Sequence, residues 1–351
     1  MTANIKRLVY FDHWVDDIAV KMLKAQPGID LVQLYYATPE PANWAEIELA
    51  HGYQISPRGD LHEPWFGNTA LLARCPLLLA ISSTGAGYDM VNVDDCTKAG
   101  VILCNQSGTN NEAVAEHAIG MMLALSKKFA LTDKRMRRAA GIDRYAHSGN
   151  DIYGKTLGII GIGHIGTRTA QLCKSLFNIT VLAYDPYLTI EEIAGRHATK
   201  VELDELLRRS DFVSVHCPRS DETFGMFGRE QFARMKPTAH FINTARGGIH
   251  KEDDLAEALR EGRIAGAGVD VWLEEPPPPD HPLLAFDNVV ASPHTAGVTA
   301  EAMHQMAVAA AEQWIWIFAG EAPPRLINPE VWPRYSDRFA EIMGFRPVPL
   351  R

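Results

Sequence analysis

The chain has 351 residues, of which 46% are hydrophobic, and a formal net charge of −9 at pH 7. This length favours two domains, because single hydrophobic cores stop growing at roughly 250–300 residues. The acidic balance, without any block of Lys or Arg, argues against a nucleic-acid partner, and the sequence lacks the run of about 18 apolar residues that a membrane span requires.

The N-terminal residues and the cysteines indicate the compartment. Residues 1–8 carry charge and lack the apolar segment of a signal peptide. The five cysteines are an odd number without a C-x-x-C pair, so the sequence predicts neither a disulfide framework nor a zinc site. We therefore expect a cytoplasmic protein with free thiols and no metal centre.

In the first part of the chain, β-strands and α-helices alternate. Strands are predicted at residues 6–11, 29–35, 51–55, 76–81 and 101–104, and helices at residues 15–23 and 44–50. This alternation predicts a small parallel sheet of the flavodoxin type. The fourth strand leads into Gly85, Ala86 and Gly87, whose consecutive backbone N–H groups could hold a carboxylate; the alternative is an ordinary glycine turn.

A long helix is predicted at residues 110–128, where small and apolar side chains form one stripe. It leads from the first domain into the second and is a candidate subunit interface of a homodimer. The charged residues 134–150 that follow it are interpreted as an irregular surface connection.

The second domain opens with a dinucleotide-binding fingerprint. An apolar strand precedes the turn Gly161-x-Gly163-x-x-Gly166, a helix follows it, and the next strand ends at Asp185. In this motif the first glycine permits the tight turn, the second lets the backbone approach a pyrophosphate, and the third lets helix and strand pack. Asp185 can accept hydrogen bonds from a ribose 2′-hydroxyl but repels a 2′-phosphate, which favours NAD over NADP. The alternative is a glycine-rich turn that binds no nucleotide.

The remaining elements complete an α/β fold with two doubly wound parallel-sheet domains. The second sheet has six predicted strands, at residues 156–160, 179–184, 212–216, 240–243, 265–271 and 289–292, with helices at residues 253–261 and 300–319. The last helix follows the sixth strand and can return the chain to the first domain. We therefore predict a discontinuous substrate domain, residues 1–108 plus 300–351, and an inserted nucleotide domain, residues 109–299. The Pro-rich tail after residue 319 is expected to be mostly irregular.

Three polar residues follow the last three predicted strands, namely Arg246, Glu275 and His294. A histidine is suited to proton transfer near neutral pH, and a neighbouring carboxylate stabilises imidazolium and selects a tautomer. An arginine can bind a carboxylate through two hydrogen bonds and polarise a carbonyl. Separately, each residue could be a surface ion-pair partner or a loop side chain. Their joint placement at one sheet edge favours hydride transfer to or from a 2-hydroxy acid.

Several motifs, in this order, resemble those of the D-isomer-specific 2-hydroxyacid dehydrogenases. They are Gly85-x-Gly87-x-Asp89, Asn110-x-x-x-Val114-Ala115-Glu116, Gly161-x-Gly163-x-x-Gly166, His216-x-Pro218, Asn243-Thr244-Ala245-Arg246-Gly247, Gly268-Val269-Asp270-Val271 and Pro293-His294. The resemblance implies a Rossmann NAD domain inserted into a flavodoxin-like substrate domain, and a homodimer built on the helix at residues 110–128.

The resemblance also implies the roles of individual residues. His294 would be the acid/base for a D-2-hydroxy or 2-keto acid, Glu275 its partner and Arg246 the arginine that binds and polarises the substrate. Substrate contacts would come from Gly85, Ala86, Gly87, Arg246 and His294. Cofactor contacts would come from Gly161, Gly163, His164, Ile165, Gly166, Asp185, Pro218, Thr223, Thr244, Ala245, Asp270 and Gly297.

Two departures from the family leave alternatives open. Residue 164 is His where the family often has Arg, and Glu275 stands where formate dehydrogenases have Gln. NAD-dependent formate oxidation is one alternative, and an NAD(H)-sensing, corepressor-like binding protein is another. The substrate side-chain pocket is not readable; Trp14, Trp65 and Tyr88 are candidates for it, or else core residues.

Overall fold

The computed structural model describes residues 5–56, 61–138 and 140–350 of the chain. The chain forms two compact units. Unit 1 consists of Met1–Asn110 and Ala300–Arg351, and unit 2 consists of Asn111–Thr299. Within the described residues, no helix combines the length and apolarity needed to cross a membrane.

The sheet of unit 1 has five parallel strands. They are β1 (Lys6–Phe11), β2 (Ile29–Leu34), β3 (Gly52–Ile55), β4 (Ala80–Ser83) and β5 (Ile102–Cys104). Their spatial order is β2-β1-β3-β4-β5, the flavodoxin order that the sequence predicted. The fourth strand begins at Ala80 rather than at the predicted Pro76, since a turn at Cys75 to Leu78 comes first.

Helices cover both faces of this sheet. They are α1 (Ile18–Lys24), α2 (Glu40–Ile47), α3 (Thr69–Arg74), α4 (Val93–Ala99), α12 (Ala300–Ala319) and α13 (Trp332–Met343). The expectation of an irregular tail was wrong, because α13 lies in it. Trp332, Tyr335, Phe339 and Met343 recur at helical spacing and are buried in the unit 1 core, so packing stabilises this helix.

The sheet of unit 2 has seven parallel strands instead of the predicted six. They are β6 (Thr156–Ile160), β7 (Thr180–Tyr184), β8 (Thr199–Lys200), β9 (Phe212–Val215), β10 (His240–Asn243), β11 (Gly266–Val269) and β12 (Val289–Ala291). The order is β12-β11-β10-β9-β6-β7-β8. This is the doubly wound Rossmann order with one more strand at the β12 edge. The strand missing from the prediction is β8, a two-residue edge strand.

The helices of unit 2 are α5 (Asn111–Ser126), α6 (Phe129–Met136), α7 (His164–Phe177), α8 (Ile190–Gly195), α9 (Leu203–Arg209), α10 (Arg229–Arg234) and α11 (Glu252–Arg260). Helix α6 occupies the start of the segment that was expected to be irregular. None of its side chains is buried, so packing within unit 2 does not account for its apolar residues.

Candidate active site

The glycine turn after β6 shows why two of its three glycines are needed. Gly161 has φ +81°, and a Cβ there would lie 2.6 Å from the backbone nitrogen of Cys217. A Cβ on Gly166 would lie 2.5 Å from the carbonyl oxygen of Gly161. At Gly163 an added Cβ would meet no described atom within 4 Å. Protein packing therefore explains Gly161 and Gly166, whereas Gly163 leaves space beside the N-terminus of α7.

Asp185 lies at the carboxyl end of β7 and is bound to this turn. Its Oδ2 accepts a hydrogen bond from the backbone N–H of Ile162 at 3.2 Å, and its Oδ1 accepts one from the N–H of Tyr187 at 3.1 Å. The guanidinium of Arg196 donates to the carbonyl oxygen of Ile162 at 2.7 Å. A cation and a carboxylate thus contact the same turn residue. Sequence reasoning missed Arg196 because all of α8 separates it from Asp185.

The end of β10 is organised by Asn243. The Oδ1 atom of this buried residue accepts the N–H of Ala245 at 2.9 Å, and its Nδ2 donates to the carbonyl of Arg246 at 3.1 Å. The half-buried guanidinium of Arg246 donates to the carbonyl of Ala245 at 2.6 Å. A Cβ on Gly247 would overlap the carbonyl oxygen of Trp272, so this turn packs directly against the segment after β11.

The segments after β11 and β12 bring Glu275 and His294 together. Nδ1 of His294 lies 2.8 Å from Oε2 of Glu275, whose Oε1 accepts the backbone N–H of Trp272 at 3.0 Å. The His294 side chain is 38% exposed and that of Glu275 is 14% exposed. The carboxylate is therefore fixed by two bonds, while the imidazole keeps an accessible edge.

Asp270 is fully buried behind this pair. Its carboxylate accepts hydrogen bonds from the hydroxyl of Ser292 at 2.6 Å and from the N–H groups of Thr295 and Ala296 at 2.8 and 2.9 Å. Its carbonyl accepts the N–H of His294 at 2.6 Å. Asp270 therefore fixes the loop that carries His294, and its implied contact with the nicotinamide stays a prediction.

His117 of α5 joins the same network, which sequence reasoning missed. The Ser292 hydroxyl donates to Asp270 and so accepts from Nε2 of His117, which lies 2.9 Å away. The available signal was its position directly after the Asn110-x-x-x-Val114-Ala115-Glu116 motif. Histidine at that position places an N–H donor 3.7 Å from Asp270 Oδ1 as well.

His216 of the His216-x-Pro218 motif is partly buried and directly follows β9. Its Nε2 lies 2.9 Å from the hydroxyl of Ser214, and burial lowers its pKa to about 4. The imidazole is therefore neutral at pH 7. Beyond it, the hydroxyl of Thr223 donates to the carbonyl of Pro218 at 2.7 Å and closes the loop after β9.

Several other predicted residues occupy the same sheet edge. His164 and Ile165 begin α7, with Gly163 at its N-cap. Gly297 follows the His294 loop. These placements put all the predicted cofactor residues in unit 2, on the segments that follow β6, β7, β9, β10, β11 and β12.

In unit 1, the loop after β4 is held by its carbonyl groups. The carbonyls of Gly85 and Ala86 accept hydrogen bonds from the backbone N–H of Gln106 and from Nδ2 of Asn105, both at 2.8 Å, and that of Gly87 accepts the Ser83 hydroxyl. In a trans peptide the N–H points opposite to the carbonyl. The N–H groups of these peptides therefore point away from the groups that bind the carbonyls, as a carboxylate-binding loop requires.

The aromatic residues suggested for a substrate pocket are mostly core residues. Trp65 is buried against Phe11 and Trp44, and Trp14 is buried beside Tyr10. The alternative interpretation of these two side chains as core residues is therefore the better one. Tyr88 is partly buried against the core below β4.

Two features of unit 2 fit a bound dinucleotide. The space at Gly163 admits a pyrophosphate at the N-terminus of α7, where free N–H groups and the helix dipole favour anions. The hydroxyl of Thr244 is buried without a hydrogen-bond partner among the described residues, although buried polar groups are normally paired. A polar ligand group at the end of β10 would pair with it.

Comparison with known proteins agrees with this geometry. Residues 119–296 match the family model described as D-isomer specific 2-hydroxyacid dehydrogenase, NAD binding domain. A glyoxylate reductase of Thermofilum pendens is 40% identical over 260 residues, which cover 73% of this chain and 76% of that protein. A D-3-phosphoglycerate dehydrogenase of Archaeoglobus fulgidus is 38% identical over 251 residues, which cover 72% of this chain and 47% of that protein.

The fold is also found among solved structures. The D-lactate dehydrogenase of Aquifex aeolicus, complexed with NAD and lactic acid, is 26% identical with a TM-score of 0.77. The match covers 93% of this chain and 98% of that chain. Together with the family model and the closer sequence relatives, this likeness identifies the chain. It belongs to the D-isomer specific 2-hydroxyacid dehydrogenase family and has NAD as its cofactor.

Proposed function

We propose that this chain transfers a hydride between NAD(H) and C2 of a D-2-hydroxy acid or the corresponding 2-keto acid, with His294 as the acid/base. The observation that carries the proposal is the 2.8 Å contact between Nδ1 of His294 and Oε2 of Glu275. A catalytic base needs an orienting partner on one nitrogen and access to substrate on the other. The exposed edge of His294 meets the second condition.

The pair provides the proton of the reaction. With Nδ1–H donated to Glu275, Nε2 of His294 is the nitrogen that faces a substrate oxygen. During reduction His294 gives a proton from Nε2 to the oxygen on C2, and during oxidation it takes the proton back. Glu275 stabilises the imidazolium form and, through its bond to Trp272, holds the ring in one orientation. When bound, NADH would supply the hydride for reduction, and NAD would accept it in oxidation.

We assign substrate binding to Arg246 and to the backbone N–H groups of the Gly85–Ala86–Gly87 loop. A guanidinium can bind the carboxylate and polarise the C2 carbonyl at the same time. Asn243 accepts the N–H of Ala245 and donates to the carbonyl of Arg246, and these two hydrogen bonds support a fixed position for Arg246. The anchored carbonyls of residues 85–87 support the second carboxylate contact.

The cofactor is held, in this proposal, by the glycine turn, by Asp185 and by the Thr244 hydroxyl. Asp185 lies at the turn with its carboxylate oriented by two N–H donors, which supports NAD over NADP because a 2′-phosphate would meet a like charge. Arg196 would attract a 2′-phosphate and so favour NADP. Its hydrogen bond to the carbonyl of Ile162 holds its positive charge at the turn.

The substrate is proposed to be a small 2-keto acid. Relatives are named glyoxylate reductase and D-3-phosphoglycerate dehydrogenase, whose substrates share a carboxylate next to the reacting carbon. Formate oxidation is less favoured, because it leaves an acid/base pair such as His294–Glu275 without a carbonyl to protonate. The paired Glu275 and His294 likewise favour catalysis over a purely NAD(H)-sensing role.

We also propose that unit 1 is the substrate domain and that the enzyme is a cytoplasmic homodimer. Most apolar residues of the predicted interface, residues 110–128, are buried within unit 2 itself. Exposed apolar side chains follow it directly: Phe129, Met136 and Tyr145 are 60%, 71% and 73% exposed. These residues support an interface that extends past α5 to residue 145.

NADH oxidation with a panel of 2-keto acids tests the proposal. We expect glyoxylate to be reduced to glycolate, or hydroxypyruvate or pyruvate to the D-hydroxy acid, and we expect His294→Ala to lower kcat by about 10²–10⁴-fold while NADH still binds. NADH binding without turnover of any keto acid would favour the NAD(H)-sensing alternative. Equal loss of binding and turnover in His294→Ala would contradict the acid/base role.

A further inference from the structure

In unit 2, two loops are joined above the sheet edge by one hydrogen bond. The hydroxyl of Tyr187 donates to the carboxylate of Glu222. Tyr187 follows β7, and Glu222 belongs to the loop after β9. Neither residue is used by the mechanism proposed above, and neither belongs to the Gly161–Gly166 fingerprint.

The strand order shows what this bond crosses. In the sequence β9-β6-β7, strand β6 lies between the two strands whose loops are joined. Two strand spacings separate β7 from β9, about 10 Å. The bond therefore spans the carboxyl end of β6, where the glycine turn begins. In a doubly wound sheet, the crevice beside the first strand, where the strand order reverses, is where a dinucleotide binds.

Both loops are anchored below the bond. The N–H of Tyr187 donates to Asp185 Oδ1, and Asp185 in turn binds Ile162 of the glycine turn. On the other side, the Thr223 hydroxyl accepts the N–H of Ser220 at 2.8 Å and so braces the loop that carries Glu222. The Tyr187 side chain itself is 76% exposed. The contact with Glu222, rather than packing, therefore determines where its ring lies.

We propose that Tyr187 and Glu222 form a clasp over the adenosine half of NAD(H). The clasp is closed both with and without bound cofactor, and it opens while the cofactor enters or leaves. The adenosine half is indicated because Tyr187 adjoins Asp185, the residue suited to the ribose 2′-hydroxyl. The catalytic pair follows β11 and β12, away from the clasp. Hydrogen bonding to Glu222 raises the pKa of Tyr187, which keeps its hydroxyl protonated as a donor.

Loss of this clasp should change the association and dissociation rates of the cofactor more than its affinity. Stopped-flow fluorescence with NADH alone measures both rates without any catalytic turnover. In Tyr187→Phe and Glu222→Ala we expect both association and dissociation to accelerate by about 3- to 10-fold, the range of one exposed hydrogen bond, while Kd changes less than about twofold. Glu222→Gln keeps an acceptor oxygen and should retain rates close to those of the unsubstituted protein.

The double variant distinguishes a clasp formed by one shared hydrogen bond from two independent contacts with the cofactor. Because both single changes break the same bond, Tyr187→Phe combined with Glu222→Ala should be no faster than either alone. Tyr153→Phe, at another exposed tyrosine of unit 2, is the control and should leave both rates unchanged. Additive effects, unchanged rates, or faster dissociation with unchanged association would overturn the proposal; the last result would make Tyr187 an ordinary adenosine contact.

Discussion

Glu275 binds Nδ1 of His294 at 2.8 Å while its other oxygen accepts the backbone N–H of Trp272 at 3.0 Å. The orientation of the imidazole is therefore set by the segment after β11, although His294 itself follows β12. The backbone of His294 is held from the same side, since its N–H donates to the carbonyl of Asp270. The segment after β11 thus fixes both the position and the orientation of the His294 side chain.

Replacement of Glu275 by Gln should slow keto-acid reduction. The neutral amide can still contact Nδ1 of His294, but it lacks the negative charge that favours an imidazolium during proton transfer. We expect kcat/KM to fall by at least roughly tenfold while the Kd for NADH stays unchanged. Steady-state kinetics and fluorescence titration with NADH check this, and an unchanged kcat/KM would remove Glu275 from the acid/base pair.

Replacement of Asp185 by Ala should narrow the preference for NAD over NADP. The change removes a charged acceptor for the ribose 2′-hydroxyl and the repulsion of a 2′-phosphate, while Arg196 remains at the turn. We expect the ratio of kcat/KM values for the two cofactors to fall by about 10- to 100-fold. Asp151→Ala, at an exposed acid elsewhere in unit 2, serves as the control. An unchanged ratio in Asp185→Ala would contradict the assigned role.

Replacement of Asn105 by Ala should weaken substrate binding. The side chain of Asn105 donates at 2.8 Å to the carbonyl of Ala86 and thereby orients the loop proposed to bind the substrate carboxylate. Loss of one such bond corresponds to about a 3- to 10-fold increase in KM, with a smaller change in kcat. Asn92→Ala removes a helix cap in the same unit and should lower stability without raising KM. Equal KM changes in both variants would indicate general loosening instead.

Three histidines of unit 2, of which His250 is buried and the other two are partly buried, should make the protein sensitive to mild acid. Burial lowers the pKa values of His216, His240 and His250 to about 4, against about 6.5 in an unfolded chain. Between these values the unfolded state binds protons that the folded state does not, so stability falls as pH falls from about 6.5 to 4. At pH 5 the loss is on the order of 2 kcal/mol per histidine.

His240→Phe tests this linkage at one position. Phenylalanine keeps the ring that stacks on Phe212 but cannot titrate. Urea unfolding at pH 7 and pH 5 should show a smaller loss of stability on acidification in the variant than in the unsubstituted protein. The same loss in both proteins would show that His240 titrates normally in the folded state.

The exposed apolar residues after α5 should determine the oligomeric state. Phe129→Asp combined with Met136→Asp places two charges on the proposed interface, where burial of unpaired carboxylates is unfavourable. We expect light scattering after gel filtration to give a dimer mass for the unsubstituted protein and a monomer mass for the variant. Leu176→Asp, at an exposed apolar residue of α7, should leave the dimer intact. A monomeric parent protein would refute the proposed interface.

The parts of the fold that were predictable depend on local patterns. The glycine turn and the edge positions of Arg246, Glu275 and His294 follow from short strand-and-turn motifs. Helix α13 was readable as well, since Trp332, Tyr335, Phe339 and Met343 have helical spacing, but the prolines around it suggested an irregular tail. Helix α6 buries none of its side chains, so no set of buried apolar residues marks it.

Contacts between distant segments could not be read from the sequence. His117 meets Ser292 from a helix 175 positions away, and nothing in either local sequence specifies this pairing. The same holds for Asn105, which acts on Ala86 through the packing of β4 against β5. Motifs identify the residues that perform the chemistry, whereas the residues that hold them in place emerge only from tertiary structure.

The division of unit 1 into two chain segments has a consequence during synthesis. Asn328 accepts the backbone N–H of Leu103 at 2.8 Å, and the Trp314 indole donates to Gln54 at 2.8 Å inside the core. The ribosome must therefore deliver α12 and α13 before the first segment can complete its interior. All of unit 2 emerges earlier and can fold first. The nascent first segment, with one sheet face covered only in part by α1, is then the stage at which this enzyme most needs protection from aggregation.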